Sequence, residues 1–92
     1  MSAKNRDRLE VIRDILQIVR DHSNSIKQTP LLRYSNLSSS SFAEYFAELQ
    51  EKGFLKLVED SKGAKYVTLT DKGFRYLEKY RLILGFIDEF EL

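Results

Sequence analysis

The apolar positions of this chain change period along its length, from helical to strand-like and back. Over residues 7–21, Leu9, Ile12, Ile15, Leu16 and Val19 recur at three- and four-residue spacing with the charges mostly on the other side. That spacing predicts an amphipathic helix. His22, Ser23, Asn24 and Ser25 break it, and Thr29-Pro30 then reads as a cap followed by proline at the first helical position, where a missing N–H costs nothing. A short second helix is expected from Pro30 to about Ser35. Asn36-Leu37-Ser38 supplies a tight turn, with Asn tolerating a positive φ and Leu37 free to point inward.

Phe42, Tyr45, Phe46 and Leu49 form the apolar face of a third helix. Ser38 is the preferred cap, which starts the helix at Ser39; Ser41 with Glu44 makes an alternative capping box that would start it at Phe42. Gly53 ends it by adopting the left-handed conformation. Phe54 to Glu59 and Lys65 to Thr70 are strand-like runs joined by Asp60-Ser61-Lys62-Gly63-Ala64, a loop of hairpin length. Thr70 can cap a last helix, with Asp71 at its positive end, running to near the terminus. The predicted order is α-α-α-β-β-α, an α+β chain in which residues 1–92 form one unit and 71–92 its last helix.

With 92 residues and 42% hydrophobic content, there is material for one small core. The absence of cysteine removes disulfides and thiolate metal sites, and a lone His22 removes the usual multi-histidine sites. His22 is expected at a helix end, where a cation is mildly favoured. No apolar run approaches the roughly 20 residues of a membrane helix, and the polar start lacks the apolar stretch of a secretory signal. A soluble, unprocessed protein is expected. No phosphate loop, dinucleotide fingerprint or catalytic triad can be assembled, so neither enzymatic activity nor a cofactor nor a small-molecule substrate is expected. Net charge is only +1, but by segment it alternates: +3 over residues 1–35, −3 over 36–60, +4 over 61–81 and −3 over 82–92. Any nucleic-acid binding must therefore rest on local charge.

Asn36-Leu37-Ser38, Phe42, Tyr45-Phe46, Leu49 and Gly53-Phe54-Leu55, followed by Lys65-Tyr66, Leu69-Thr70 and Lys72-Gly73, closely resemble the small archaeal winged helix-turn-helix proteins. That group includes ten-kilodalton chromatin proteins and related transcription regulators. The resemblance covers nearly the whole chain. It implies double-stranded DNA as partner, a cytoplasmic, nucleoid-associated location, and a homodimer whose last helices pair as an antiparallel coiled coil.

With the apolar face of the third helix inward, Ser40, Ala43, Glu44, Ala47 and Glu51 face the side where a major groove would lie. Ser39, Ser40 and Ser41 at the helix start can donate hydroxyl and backbone N–H bonds to phosphate, and Glu44 could accept from a cytosine amino group. Lys62 and Lys65 on the hairpin, with Lys27 and Arg33 ahead of the third helix, are placed to approach the DNA backbone. Lys4, Arg6 and Arg8 are interleaved with Asp7 and read as a solvated end. Glu44, Glu48 and Glu51 support the alternative, a winged-helix protein-interaction module without DNA binding.

In the last helix, Tyr76, Tyr80, Ile83, Ile87 and Phe90 form a seam spaced four, three, four and three apart, with Leu77 and Leu84 beside it. Leu82 and Phe86 make its end apolar almost all round, which implies a partner helix. The expected dimer interface is Tyr76, Tyr80, Ile83, Leu84, Ile87 and Phe90. Gly85 weakens the helix interior by roughly 1 kcal/mol and marks a kink or close crossing.

Overall fold

The structure, a computed structural model, describes residues 6–92. Asp7 caps α1 (Arg8–Asp21), its carboxylate accepting from the Glu10 N–H at 2.8 Å. The buried stripe of α1 is Val11, Ile12, Ile15, Leu16 and Val19. Leu9, expected on that stripe, is 52% exposed, because the first turn overhangs the core.

α2 (Gln28–Ser35) starts earlier than Thr29-Pro30 predicts, and Thr29 lies inside it rather than capping it. Pro30 is tolerated because first-turn N–H groups have no partner within the helix. Ile26 sets the earlier start: its N–H donates to Val67 O at 3.3 Å and its carbonyl accepts from Val67 N–H at 2.7 Å. The chain thus leaves the sheet at Lys27 and enters the helix at once.

Asn36 takes a φ of 60° and turns the chain into α3 (Ser39–Glu51). Ser38 is its cap, accepting from the Ser41 N–H at 3.2 Å. At the other end Gly53, with φ 81°, lets the Phe54 N–H reach Leu49 O at 2.8 Å and its own N–H reach Gln50 O at 3.0 Å. That double closure satisfies the last carbonyls of the helix. β1 (Leu55–Glu59) and β2 (Lys65–Leu69) pair antiparallel, Leu55 opposite Leu69 and Glu59 opposite Lys65. The second strand ends at Leu69 rather than Thr70, and Thr70 caps α4 (Asp71–Glu89) as expected, accepting from the Gly73 N–H at 3.2 Å.

The buried cluster joins Ile15, Leu16 and Val19 of α1 to Leu31 of α2, Phe42, Phe46 and Leu49 of α3, the sheet residues Leu55, Val67 and Leu69, and Leu77 of α4. Leu37 packs on its edge, as expected, and so does Tyr45. Beyond Tyr80 the cover ends: every residue from 81 to 92 is exposed. The dimensions, 50 × 27 × 22 Å, reflect this projecting end. No described helix is long and apolar enough to cross a membrane.

Candidate nucleic-acid interface

Two helix starts face one groove, lined by Gln28, Thr29 and Leu32 from α2 and Ser39, Phe42 and Ala43 from α3. Ser39 and Ser40 are exposed at the start of α3. Ser41 is half-buried and its N–H already goes to Ser38, so of the three serines it is the one whose amide is taken. The start of α2 has no side-chain cap. Its first-turn N–H groups, together with those of α3, give the groove the positive ends of two helix dipoles.

The hairpin adjoins this groove through Lys27, whose Nζ lies 5.8 Å from the Tyr66 ring centroid. Lys62 is exposed in the loop, where its N–H donates to Asp60 Oδ1 at 2.8 Å; Asp60 also accepts from Ala64 at 2.9 Å. Lys65 is exposed at the base of that loop, opposite Glu59. Arg33 is exposed one turn along α2 from Thr29, with no ion pair among the described residues. Lys27 thus links Tyr66 of the hairpin to the start of α2, whose Gln28 and Thr29 line the groove with Ser39.

The acidic residues of α3 differ in their surroundings. Glu48 pairs with Arg8 and, at 2.7 Å, with Lys52. Its charge is therefore met within the protein. Glu44 shares a shallow pocket with Arg8, Tyr45 and Glu48, on the edge of the outward face rather than at its middle. Glu51 is exposed and, like Glu44, has no ion pair among the described residues. Arg6 holds Asp14 at 2.6 Å and donates to Ser35 O at 3.0 Å, so Arg6 and Arg8 are tied to the body. Lys4 lies outside the described residues. The Arg8–Glu48 pair spans 40 positions, and no local sequence pattern announces it.

The end of α3 is fastened to the start of α4. Thr70 Oγ1 donates to Gly53 O, and Lys72 Nζ donates to Lys52 O at 2.7 Å while lying 4.7 Å from the Phe54 ring centroid. Gly73 permits this approach: a Cβ there would stand 2.5 Å from Phe54 O. Further along α4, Tyr76 packs edge-on against Phe54 at 5.6 Å and its hydroxyl donates to Leu9 O at 2.7 Å. Burial, reinforced by Tyr80 and Asp7, pushes its pKa up to about 12. Arg13 lies over the Tyr80 ring at 5.1 Å. Of the six expected interface residues, Tyr76 and Tyr80 thus also contact this chain's own α1, whereas Ile83, Leu84, Ile87 and Phe90 are exposed.

Comparison with known structures bears on this arrangement. Sso10a-2, a DNA-binding protein from Sulfolobus solfataricus, superposes with a TM-score of 0.72 at 17% identity, over 94% of this chain and 86% of that one. The PcaV transcriptional regulator from Streptomyces coelicolor gives a TM-score of 0.71 at 21% identity over 86% of this chain. There the match spans 59% of the regulator's length. In complex with its natural ligand, PcaV gives a TM-score of 0.65 at 20% identity, over 97% of this chain and 66% of its own. These are likenesses of fold. No curated protein matches the chain. The family described as winged helix-turn-helix matches residues 5–86, from ahead of α1 into the projecting end of α4, and the chain belongs to that family.

Proposed function

We propose that the chain binds double-stranded DNA as a homodimer and acts as a transcription regulator or chromatin-associated protein. The observation that carries this reading is the groove between the starts of α2 and α3, with Lys27, next to Gln28, against Tyr66 of the hairpin. In this reading α3 enters the major groove by its first turn, with Ser39 and Ser40 toward phosphate and Glu44 at the groove edge. Lys62, Lys65, Lys27 and Arg33 contact the backbone on either side. The ion pairs of Glu48 support it, since they reduce the negative charge that α3 carries toward DNA. Two copies are joined through the projecting end of α4, whose large apolar side chains are exposed.

The test is fluorescence anisotropy of a labelled mixed-sequence duplex at low and near-physiological salt. Binding should weaken steeply with salt. Replacing Lys27, Arg33, Lys62 and Lys65 by alanine should lower affinity by at least tenfold and reduce the salt slope by about 0.9 for each phosphate contact removed. Unchanged binding in that variant would remove the backbone role of these residues.

A protein-interaction module without DNA binding is the second reading, favoured by the exposed Glu44 and Glu51 on α3, which have no ion pair among the described residues. Absence of duplex binding at low salt, for mixed-sequence and selected genomic fragments alike, would favour it.

A further inference from the structure

The homodimer reading leaves open what the end of each α4 meets on the other copy. The seam reads nearly the same from both ends about Ile83: Tyr76 and Phe90 lie seven residues to either side, Tyr80 and Ile87 three and four. Seven helical residues span about 10 Å. An antiparallel pair crossing at Ile83 therefore sets Phe90 of one copy beside Tyr76 of the other.

A groove opens at Tyr76. Leu9 and Ile12 of α1, Leu49 of α3, and Phe54 line it with Tyr76, and its volume is 280 Å³. That volume has room for an aromatic side chain. Leu9, at its edge, is 52% exposed, and Phe90 is 56% exposed. We propose that in the dimer Phe90 of each copy seats in this groove of the other, against Leu9 and Tyr76.

Charge supports the same occupant and direction. Lys72, Arg75, Lys79 and Arg81 stand on the first part of α4, with Asp71 and Glu78, while Asp88, Glu89 and Glu91 crowd its end with no basic residue. A parallel pair would bring six end carboxylates together; an antiparallel pair sets each acidic end against a basic stretch. Arg8, Lys52 and Lys72 also border the groove, and Glu48 is the one acid among its lining residues. Area points the same way. A stable interface buries about 800 Å² per copy, whereas even an aromatic side chain yields only about 150–250 Å² when fully covered. Ile83, Ile87 and Phe90 are already partly covered, so a contact that extends onto the body of the other copy adds area the seam residues alone do not supply.

This inference rests on the homodimer reading, and the test separates the two. The chain has no cysteine, so introduced ones report without background. Leu9→Cys and Phe90→Cys chains are mixed and oxidised, with Ile83→Cys oxidised alone in parallel, and wild type is weighed by light scattering. The expected results are a wild-type dimer, an Ile83→Cys self-linked dimer, and a Leu9→Cys/Phe90→Cys cross-linked pair in the mixture. Linkage within one chain is excluded because each chain carries a single cysteine. Both substituted side chains are exposed, so folding is not at risk. A wild-type dimer that links through Ile83→Cys but not between positions 9 and 90 overturns the seating of Phe90 alone. Self-linkage of Phe90→Cys overturns the antiparallel direction, and a monomeric wild type overturns the homodimer reading itself.

Discussion

The two halves of α4 meet opposite fates, and the half richer in large apolar residues is the exposed one. From Asp71 to Tyr80 the helix is bound to the body: Thr70 caps it, Gly73 passes close to Phe54 O, and Leu77 is 6% exposed. From Arg81 onward every residue is exposed, although Leu82, Ile83, Leu84, Phe86, Ile87, Phe90 and Leu92 are there. A helix can leave the body without backbone cost, since its hydrogen bonds are internal. Its apolar side chains remain in water, at about 1.5–3 kcal/mol of unrealised burial for each large one. Periodicity marks a face for burial without saying whose core it enters.

The largest effect should come from breaking that contrast directly. Leu77→Ala should cost about 2–5 kcal/mol, lowering the melting temperature by at least about 8 °C. Ile83→Ala, measured at protein concentrations low enough for monomer, should stay within about 0.5 kcal/mol of wild type. Equal losses at both positions would mean that the projecting half is packed on its own chain after all.

The glycines sharpen the same comparison with opposite signs. Gly73→Ala drives a methyl toward Phe54 O and should destabilise by about 1–3 kcal/mol. Gly85, whose Cβ would meet nothing within 4 Å, should tolerate alanine and gain roughly 0.5–1 kcal/mol from the better helix former. Denaturant titration of the two variants checks both signs. A loss at Gly85 that grows with protein concentration would place it at the crossing of two copies.

Most local elements were legible because their signals are local. The preference for Ser38 over Ser41, the left-handed Asn36, the glycine stop at Gly53 and the Thr70 cap all rest on residues within a few positions of the backbone groups they satisfy. What was missed is non-local. Ile26 joins the sheet through one residue pair, too short for any alternation to show, and Asn24 Oδ1 accepts from the Leu69 N–H at 2.8 Å across 45 positions. Those two ties fix where α2 begins, and with it where Lys27 stands beside the hairpin. The pairing of Arg8 with Glu48 likewise changes how acidic α3 is, and composition counts both charges as free.

The smallest effect concerns Tyr76, at the boundary between the halves. Its pKa is raised to about 12, chiefly by burial. In the unfolded chain the phenol titrates near 10, so between these values the folded state retains a proton that the unfolded state has lost. Stability therefore falls as pH rises through that window, and the full contribution is present below pH 10. Tyr76→Phe removes the titrating group along with the hydrogen bond to Leu9 O. Its stability should be lower than wild type near neutrality, and the difference should shrink from pH 10 to 12, as followed by denaturant midpoints. Parallel curves for the two proteins would show that Tyr76 titrates alike in both states and is not held by the body. The projecting half enters here as well, because a partner's Phe90 over Tyr76 would deepen its burial. Raising protein concentration should then push the tyrosinate absorbance of Tyr76 to still higher pH.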